Sequence, residues 1–190
     1  MMPNQLKKHW DSERKDKTIF DIIWFGSSAK GEVKPNDLDI VVIFLEGTLR
    51  ERLDKISSIK EKLKSTGYKK IDVKQILLQD LFSSDFLART GILLEGVSLF
   101  KQRKLCEVLG FESFALFWYN LNGLSHNQKV KFNYILAGRN EMQGVIKSLE
   151  GRRLVNGAVM IPIKNTLTFE GILKQNNINY KKEYVLTTSV

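Results

Sequence analysis

The hydrophobic pattern of the first half of the chain alternates between short apolar runs and segments with helical spacing. Thr18–Phe25 is rich in β-branched and aromatic residues, which is typical of a strand. Asp37–Leu45 is a second predicted strand, apolar enough beyond Ile40 to be buried on both faces, and Ile71–Leu78 is a third. Helices are predicted over 49–66, after a capping box, and over 81–94.

The second half has a different pattern and predicts a small α+β domain. The charged segment KQRKLCEVLG separates the two halves, so we expect one domain over 1–105 and another over 106–190. Predicted strands of the second domain cover Phe111–Tyr119, Leu154–Ile163 and Tyr180–Thr188, and predicted helices cover 126–137, 141–150 and Thr166–Gln175.

The amino-acid composition indicates a globular protein and argues against a membrane or secreted protein. Hydrophobic residues make up 43% of the chain and charged residues 27%, as in a globular protein, and no window approaches the ~18 apolar residues that a membrane span needs. The N-terminus is too charged for a secretory signal peptide. Cys106 is the only cysteine, which excludes an intrachain disulfide. We therefore expect a cytoplasmic protein without membrane contact, in which any metal is held by carboxylates.

The net charge of +9 is spread along the whole chain. Residues 1–105 contain 20 basic and 15 acidic groups, and residues 106–190 contain 10 and 6. A diffuse positive field attracts polyanions such as nucleic acid or nucleotides. The same charge also fits plain solubility, so it does not decide between these interpretations.

The residues that indicate chemistry lie at the ends of the first two predicted strands. Asp37 and Asp39 are two apart on a strand, so their side chains point to one face with Cβ atoms ~6.6 Å apart. Two carboxylates so placed can bracket a pair of hard cations ~3.5–4 Å apart, as two-metal phosphoryl transfer requires. Gly26 allows a close backbone approach to a ligand, and Ser27 adds a hydroxyl beside it, which suits a triphosphate.

Two further residues extend this pattern. Asp72 lies in an apolar context at the start of the third strand, where a carboxylate is costly unless it has a partner, and a metal shared with Asp37 and Asp39 would supply one. The alternative is an exposed residue of an edge strand beside Lys69 and Lys70. Lys30, in the loop between the first two strands, would offset phosphate charge.

This pattern of Gly-Ser, a short spacer, Asp-Leu-Asp and a later Ile-Asp-Val strand resembles the DNA polymerase β nucleotidyltransferase superfamily. The compact spacing and the segment EGVSLF are most similar to its minimal nucleotidyltransferases, over residues 5–100. The resemblance implies a nucleotidyltransferase fold, with a mixed β-sheet flanked by helices. It implies phosphate binding by Gly26 and Ser27, with Lys30 where the minimal family often has Arg, and binding of two Mg²⁺ ions, or Mn²⁺, by Asp37, Asp39 and Asp72.

The implied activity is transfer of a nucleoside monophosphate from a nucleoside triphosphate, such as ATP, to an acceptor hydroxyl, with release of pyrophosphate. The acceptor stays open between a nucleic-acid 3′-end, a hydroxyl of a partner protein and a small molecule. Residues 106–190 are candidates for binding it. An alternative is a catalytically silent nucleotide- or nucleic-acid-binding module on the same scaffold.

Overall fold

A computed structural model describes residues 6, 10–26, 29, 37–139 and 141–188 of the chain. The chain divides into two compact units, residues 1–111 and 112–190. The first unit includes the short helix in the segment predicted to separate the domains. None of the helices in the described ranges is long and apolar enough to cross a membrane.

The first unit is built on a mixed four-stranded sheet, as predicted. The strand order is β3-β2-β1-β4, with β2 antiparallel to β1 and parallel to β3, and β4 antiparallel to β1. A parallel β2–β3 pair needs a crossover connection, which a helix provides. The strands are β1 (Ile19–Phe25), β2 (Asp37–Phe44), β3 (Lys70–Leu77) and β4 (Val97–Ser98).

The crossover helix begins and ends as its sequence predicts. Thr48 and Glu51 form a reciprocal capping box, and Gly67 ends the helical region in the left-handed conformation, with φ +82°. The predicted helix over 81–94 is wrong in extent, because Ser83–Ala88 contains turns between two shorter pieces. The helices are α1 (Asp11–Lys15), α2 (Leu49–Leu63), α3 (Arg89–Glu95) and α4 (Leu105–Val108), with 3₁₀ turns at Lys64–Thr66 and Leu78–Phe82.

Strand β2 is buried on both sides, which confirms the prediction from its apolar run. One face of the sheet packs against α2, and the opposite face packs against residues of α3 and α4. The first cluster includes Ile22, Trp24, Leu38, Ile40, Val42, Phe44, Ile56 and Ile59, and the second includes Ile23, Val41, Ile43, Ile76, Leu81, Ile92 and Leu105.

A buried polar contact fixes β4 against β1. The Ser98 hydroxyl donates to Asp21 Oδ2 at 2.7 Å, and the Ile22 N–H donates to Asp21 Oδ1 at 2.7 Å. The N–H of Leu99 continues the pairing by donating to the Ile22 carbonyl at 2.8 Å. Burial raises the pKa of Asp21, and these hydrogen bonds act in the opposite direction.

The second unit has an α+β fold with its own hydrophobic core. Its sheet has the order β10-β5-β9-β8, and the Phe117 and Phe169 rings meet edge to face at 4.9 Å between strand and helix. The strands are β5 (Phe111–Tyr119), β6 (Gly138–Arg139), β7 (Met142–Gln143), β8 (Arg152–Val155), β9 (Ala158–Pro162) and β10 (Tyr180–Thr188). The helices are α5 (His126–Ala137), α6 (Val145–Ser148) and α7 (Thr166–Gln175), with a 3₁₀ turn at Ile163–Asn165.

Two predictions for this unit are wrong. The strand expected over Leu154–Ile163 is a hairpin, because Asn156-Gly157 forms the turn between β8 and β9, with Gly157 at φ +87°. The helix expected over 141–150 is the strand β7 followed by the single turn α6. The sequence also favours Asn140 as the cap of that helix, and this residue lies outside the described residues.

Candidate active site

Three carboxylates lie on one face of the sheet, where β2 and β3 begin. Asp39 on β2 stands directly opposite Asp72 on β3 in the parallel register, so the two side chains point to the same side. Asp37 lies two residues before Asp39 and shares its face. Further along this face the residues become apolar and enter the core, beginning at Val41. The site is therefore the polar end of a face that is otherwise buried.

Asp39 is the most strongly perturbed of the three acids. Burial raises its pKa above the usual range of an aspartate, and the negative charges of Asp72 and then Asp37 raise it further. Lys74 and Lys70 act in the opposite direction. The centre of the site thus carries negative charge that its lysines only partly offset.

Gly26 ends β1 against the side chain of Asp39. Its φ of +81° lies in the left-handed region, and a Cβ placed on it would stand 2.3 Å from Asp39 Oδ2. The register explains this proximity, because Phe25 at the end of β1 pairs with Asp39. Any residue larger than glycine would therefore displace this carboxylate.

Two lysines on β3 belong to the site, and sequence reasoning missed them. Lys70 Nζ lies 3.7 Å from Asp37 Oδ2, and Lys74 Nζ lies 3.5 Å from Asp72 Oδ2. Their positions two residues either side of Asp72 put them on its face of the strand, so their spacing was the available signal. All four side chains are substantially exposed, so these pairs contribute little to stability, and their effect is on the charge of the site.

The predicted phosphate-binding residues are only partly covered by the structure. Gly26 is beside Asp39, as described above, whereas Ser27 and Lys30 lie outside the described residues. Their roles in nucleotide binding stay predictions.

The donor chemistry of the site fits Mg²⁺, which prefers carboxylate oxygens. Within the described ranges, no three His, Cys, Asp or Glu side chains are close enough together to hold one metal ion by themselves. Mg²⁺ is usually bound by one or two carboxylates together with substrate phosphates and water, so metal binding by the three aspartates stays a prediction. Asp37, Asp39 and Asp72 are the residues that would hold such ions.

Comparison with known proteins identifies the first unit. Residues 4–91, a little under half of the chain, match the family model described as "Nucleotidyltransferase domain". Searches of curated proteins and of solved structures found no match. The family match covers β1, β2, β3 and the three aspartates, and it assigns this region a general role in nucleotidyl transfer. The first unit of this protein therefore belongs to the nucleotidyltransferase domain family, within the DNA polymerase β-type superfamily.

Proposed function

We propose that the protein is a metal-dependent enzyme that transfers a nucleoside monophosphate from a nucleoside triphosphate to an acceptor hydroxyl. The observation that carries this proposal is the position of Asp37, Asp39 and Asp72 on one face of the sheet, with Gly26 beside Asp39. The raised pKa of Asp39, caused first by burial and then by the charges of Asp72 and Asp37, supports it, because perturbed pKa values are frequent at functional sites.

In the proposed reaction the acceptor oxygen attacks the α-phosphorus in line. The bond from that phosphorus to the bridging oxygen of the β-phosphate breaks, pyrophosphate leaves, and the acceptor proton passes to solvent. Bound Mg²⁺, or Mn²⁺, would neutralise phosphate charge and lower the pKa of the attacking hydroxyl.

The residues of the chain would position the reactants. Asp37 and Asp39 would orient the triphosphate from β2, and Asp72 would face the acceptor hydroxyl from β3. Gly26 leaves room for the Asp39 carboxylate and lets the backbone approach the ligand closely. Ser27 and Lys30 are predicted to contact the phosphates.

Substitution of the paired acids tests this proposal. Each α-³²P-labelled nucleoside triphosphate is incubated with the full-length protein, Mg²⁺ and a cell extract that supplies acceptors. We expect Asp37→Asn and Asp39→Asn each to lower label transfer at least about 100-fold while the circular dichroism spectrum is unchanged. Asp54→Asn, an exposed acid on α2, is the matched control and should retain activity. Full activity in either site variant would refute the assignment.

The lysine pairs favour a second candidate function, a silent nucleotide-binding module. Lys70 and Lys74 supply ionic partners for Asp37 and Asp72 without any metal. Nucleotide binding in the same assay, without covalent label on any acceptor, would support this candidate. The class of the labelled acceptor, nucleic acid, protein or small molecule, would be read from the same reaction by nuclease and protease digestion.

The acceptor and the cellular location also belong to the proposal. The positive charge of both halves favours a nucleic-acid acceptor, and similarity to minimal nucleotidyltransferases favours a partner protein. The buried thiol of Cys106 is compatible with the reducing cytoplasm, where we expect the enzyme to act.

A further inference from the structure

The second unit contains a polar cavity of about 350 Å³ at the end of β5. The turn between β8 and β9 and the helix α5 form its other walls. Ligand sites in proteins start at about this volume, which is enough for a single nucleotide. The cavity is lined by Tyr119, Asn120, Leu121, Asn133, Arg153, Asn156 and Gly157.

One lining residue, Tyr119, belongs to the hydrophobic core of the second unit. Tyr119 is only 7% exposed, and its hydroxyl is closed off from solvent and makes no hydrogen bond with any described residue. Burial raises the pKa of this hydroxyl, while the charge of Arg153 and the backbone of Gly157 lower it. Tyr119 therefore forms part of the wall of the cavity, and the polar groups available to a ligand come from the other lining residues.

Arg153 gives the cavity a fixed positive charge. Its Nη2 donates to Asn156 Oδ1 at 2.9 Å and approaches Asn133 Oδ1 at 3.4 Å, so two amides hold the guanidinium. Among the described residues, no Asp or Glu lines the cavity. The remaining guanidinium donors suit a phosphate, which arginine binds through two parallel hydrogen bonds.

Neutral hydrogen-bonding groups and an aromatic surface surround this charge. The amides of Asn120, Asn133 and Asn156 both donate and accept, as the edge of a nucleobase does. An adjoining cavity of about 490 Å³ shares Asn120 and Asn156 and adds Trp118, which is 45% exposed. An exposed indole is a suitable stacking surface for a base. Residues 112–190 also carry ten basic and five acidic groups, which attracts anions.

We propose that this cavity binds a nucleoside phosphate, with the phosphate on Arg153 and the base or sugar on the asparagine amides. The nucleoside phosphate is either a free nucleotide or one residue of a single-stranded RNA. This inference depends only on residues of the second unit. It goes beyond the proposed nucleotidyl transfer, which uses the first unit.

Calorimetric titration of the full-length protein tests the site. The probes are UMP, AMP and an eight-residue oligouridylate, in EDTA so that metal-dependent binding to the first unit does not contribute. We expect saturable binding that Arg153→Gln weakens at least about 10-fold, because a charge-assisted hydrogen bond is lost. Arg152→Gln is the matched control, because its guanidinium pairs with Glu112 at 3.0 Å and does not line the cavity. Asp54→Asn, at an exposed position of the first unit, should bind these probes as the wild type does.

Tyr119→Phe is a second control, at a lining residue whose hydroxyl is closed off from the cavity. Removing a hydroxyl that has no partner among the described residues should leave the melting temperature of the free protein unchanged or raise it, and the Tyr119–Phe132 ring contact is kept. Probe binding should therefore be the same as in the wild type. Binding of UMP or AMP as tight as that of the oligonucleotide identifies a free nucleotide as ligand, and binding of the oligonucleotide alone identifies RNA.

Three results would overturn the proposal. They are absence of binding by the wild-type protein, undiminished binding by Arg153→Gln, and an equal loss in Arg152→Gln, which would indicate attraction by general charge. Probe binding is measured in EDTA and label transfer in Mg²⁺, and Arg153→Gln changes only the second unit. Failure of the cavity proposal and failure of the proposed activity are therefore distinguishable.

Discussion

Among single residues, Gly26 connects backbone conformation to the arrangement of the carboxylates. A Cβ at this position meets the end of the Asp39 side chain, which can turn away, so the site loses its geometry before the fold loses much stability. We expect Gly26→Ala to lower nucleotidyl transfer about 10- to 100-fold. Stability should fall by only about 1–2 kcal/mol, the cost of a left-handed alanine.

Gly67→Ala is the matched control for this change. Gly67 has nearly the same φ, +82°, and a Cβ placed on it would meet no atom of the described residues within 4 Å beyond its chain neighbours. Gly67→Ala therefore costs only the free energy of placing an alanine in the left-handed conformation. Urea denaturation should give similar losses for the two variants, and only Gly26→Ala should lose activity. Equal activity of the two variants would contradict a role for this close approach.

The lysines of β3 are expected to compete with divalent cations for the carboxylates. Lys70→Met and Lys74→Met each remove a positive charge from beside Asp37 or Asp72, so the apparent affinity for Mn²⁺ should rise. Titration followed by Mn²⁺ electron paramagnetic resonance measures this affinity. Lys60→Met, at an exposed position of α2, should leave it unchanged. A weaker affinity in both site variants would argue that the lysines assist binding of the ion.

We expect the stability of the first unit to depend on pH through Asp21, and the direction of this dependence follows from the raised pKa of that residue. Its pKa in the folded protein is raised above the ordinary value of 3.8, so between these two values the folded state binds more protons than the unfolded state. Its contribution to stability is therefore fully present at low pH and is lost as pH rises through the folded pKa. In Asp21→Asn this dependence is absent.

The measurement is the difference in free energy of unfolding between wild type and Asp21→Asn, followed from acidic to neutral pH by urea denaturation. We expect the wild type to lose stability relative to the variant as pH rises, and the difference to become constant above the folded pKa. A difference that moves in the other direction would show that the hydrogen bonds to Asp21 outweigh its burial.

At the scale of elements, α2 in the first unit and α5 in the second begin with the same kind of capping box. The N–H of Glu51 donates to Thr48 Oγ1 at 3.4 Å, and the N–H of Gln128 donates to Ser125 Oγ at 3.4 Å. Thr48→Ala and Ser125→Ala should each cost about 1 kcal/mol by urea denaturation. Ser57→Ala, inside α2, lacks a capping role and should be neutral within about 0.5 kcal/mol. A neutral Thr48→Ala would mean that packing alone fixes the start of α2.

The bounds of a helix or strand could be predicted from the sequence where a single local pattern determined them. The bounds of α2, α5 and α7 follow from caps and helical spacing, and β2 from its continuous apolar run. The hairpin of β8 and β9 was missed because Asn156-Gly157 interrupts a run whose apolar residues read as one strand. The segment 81–94 carries helical spacing, and only its packing shows that it breaks into a 3₁₀ turn and α3.

At the scale of the whole molecule, the sequence predicted the first unit better than the second. The three aspartates were recognised by type and spacing, but that Asp39 stands opposite Asp72 depends on the β2–β3 register, which two separate strands do not reveal. The cavity of the second unit was invisible to sequence reasoning. Tyr119, Asn133 and Arg153 come from three elements, and no motif links them.

The buried contact between Asp21 and Ser98 has a consequence for anyone who expresses the first unit alone. The family match ends at residue 91, yet β4 covers the outer border of β1 only from Val97 onward. A fragment that stopped at the end of the match would leave β1 with unpaired backbone amides and carbonyls and an orphaned carboxyl group. An unpaired strand edge of this kind favours association between copies of the fragment. A useful fragment therefore has to extend past Phe100.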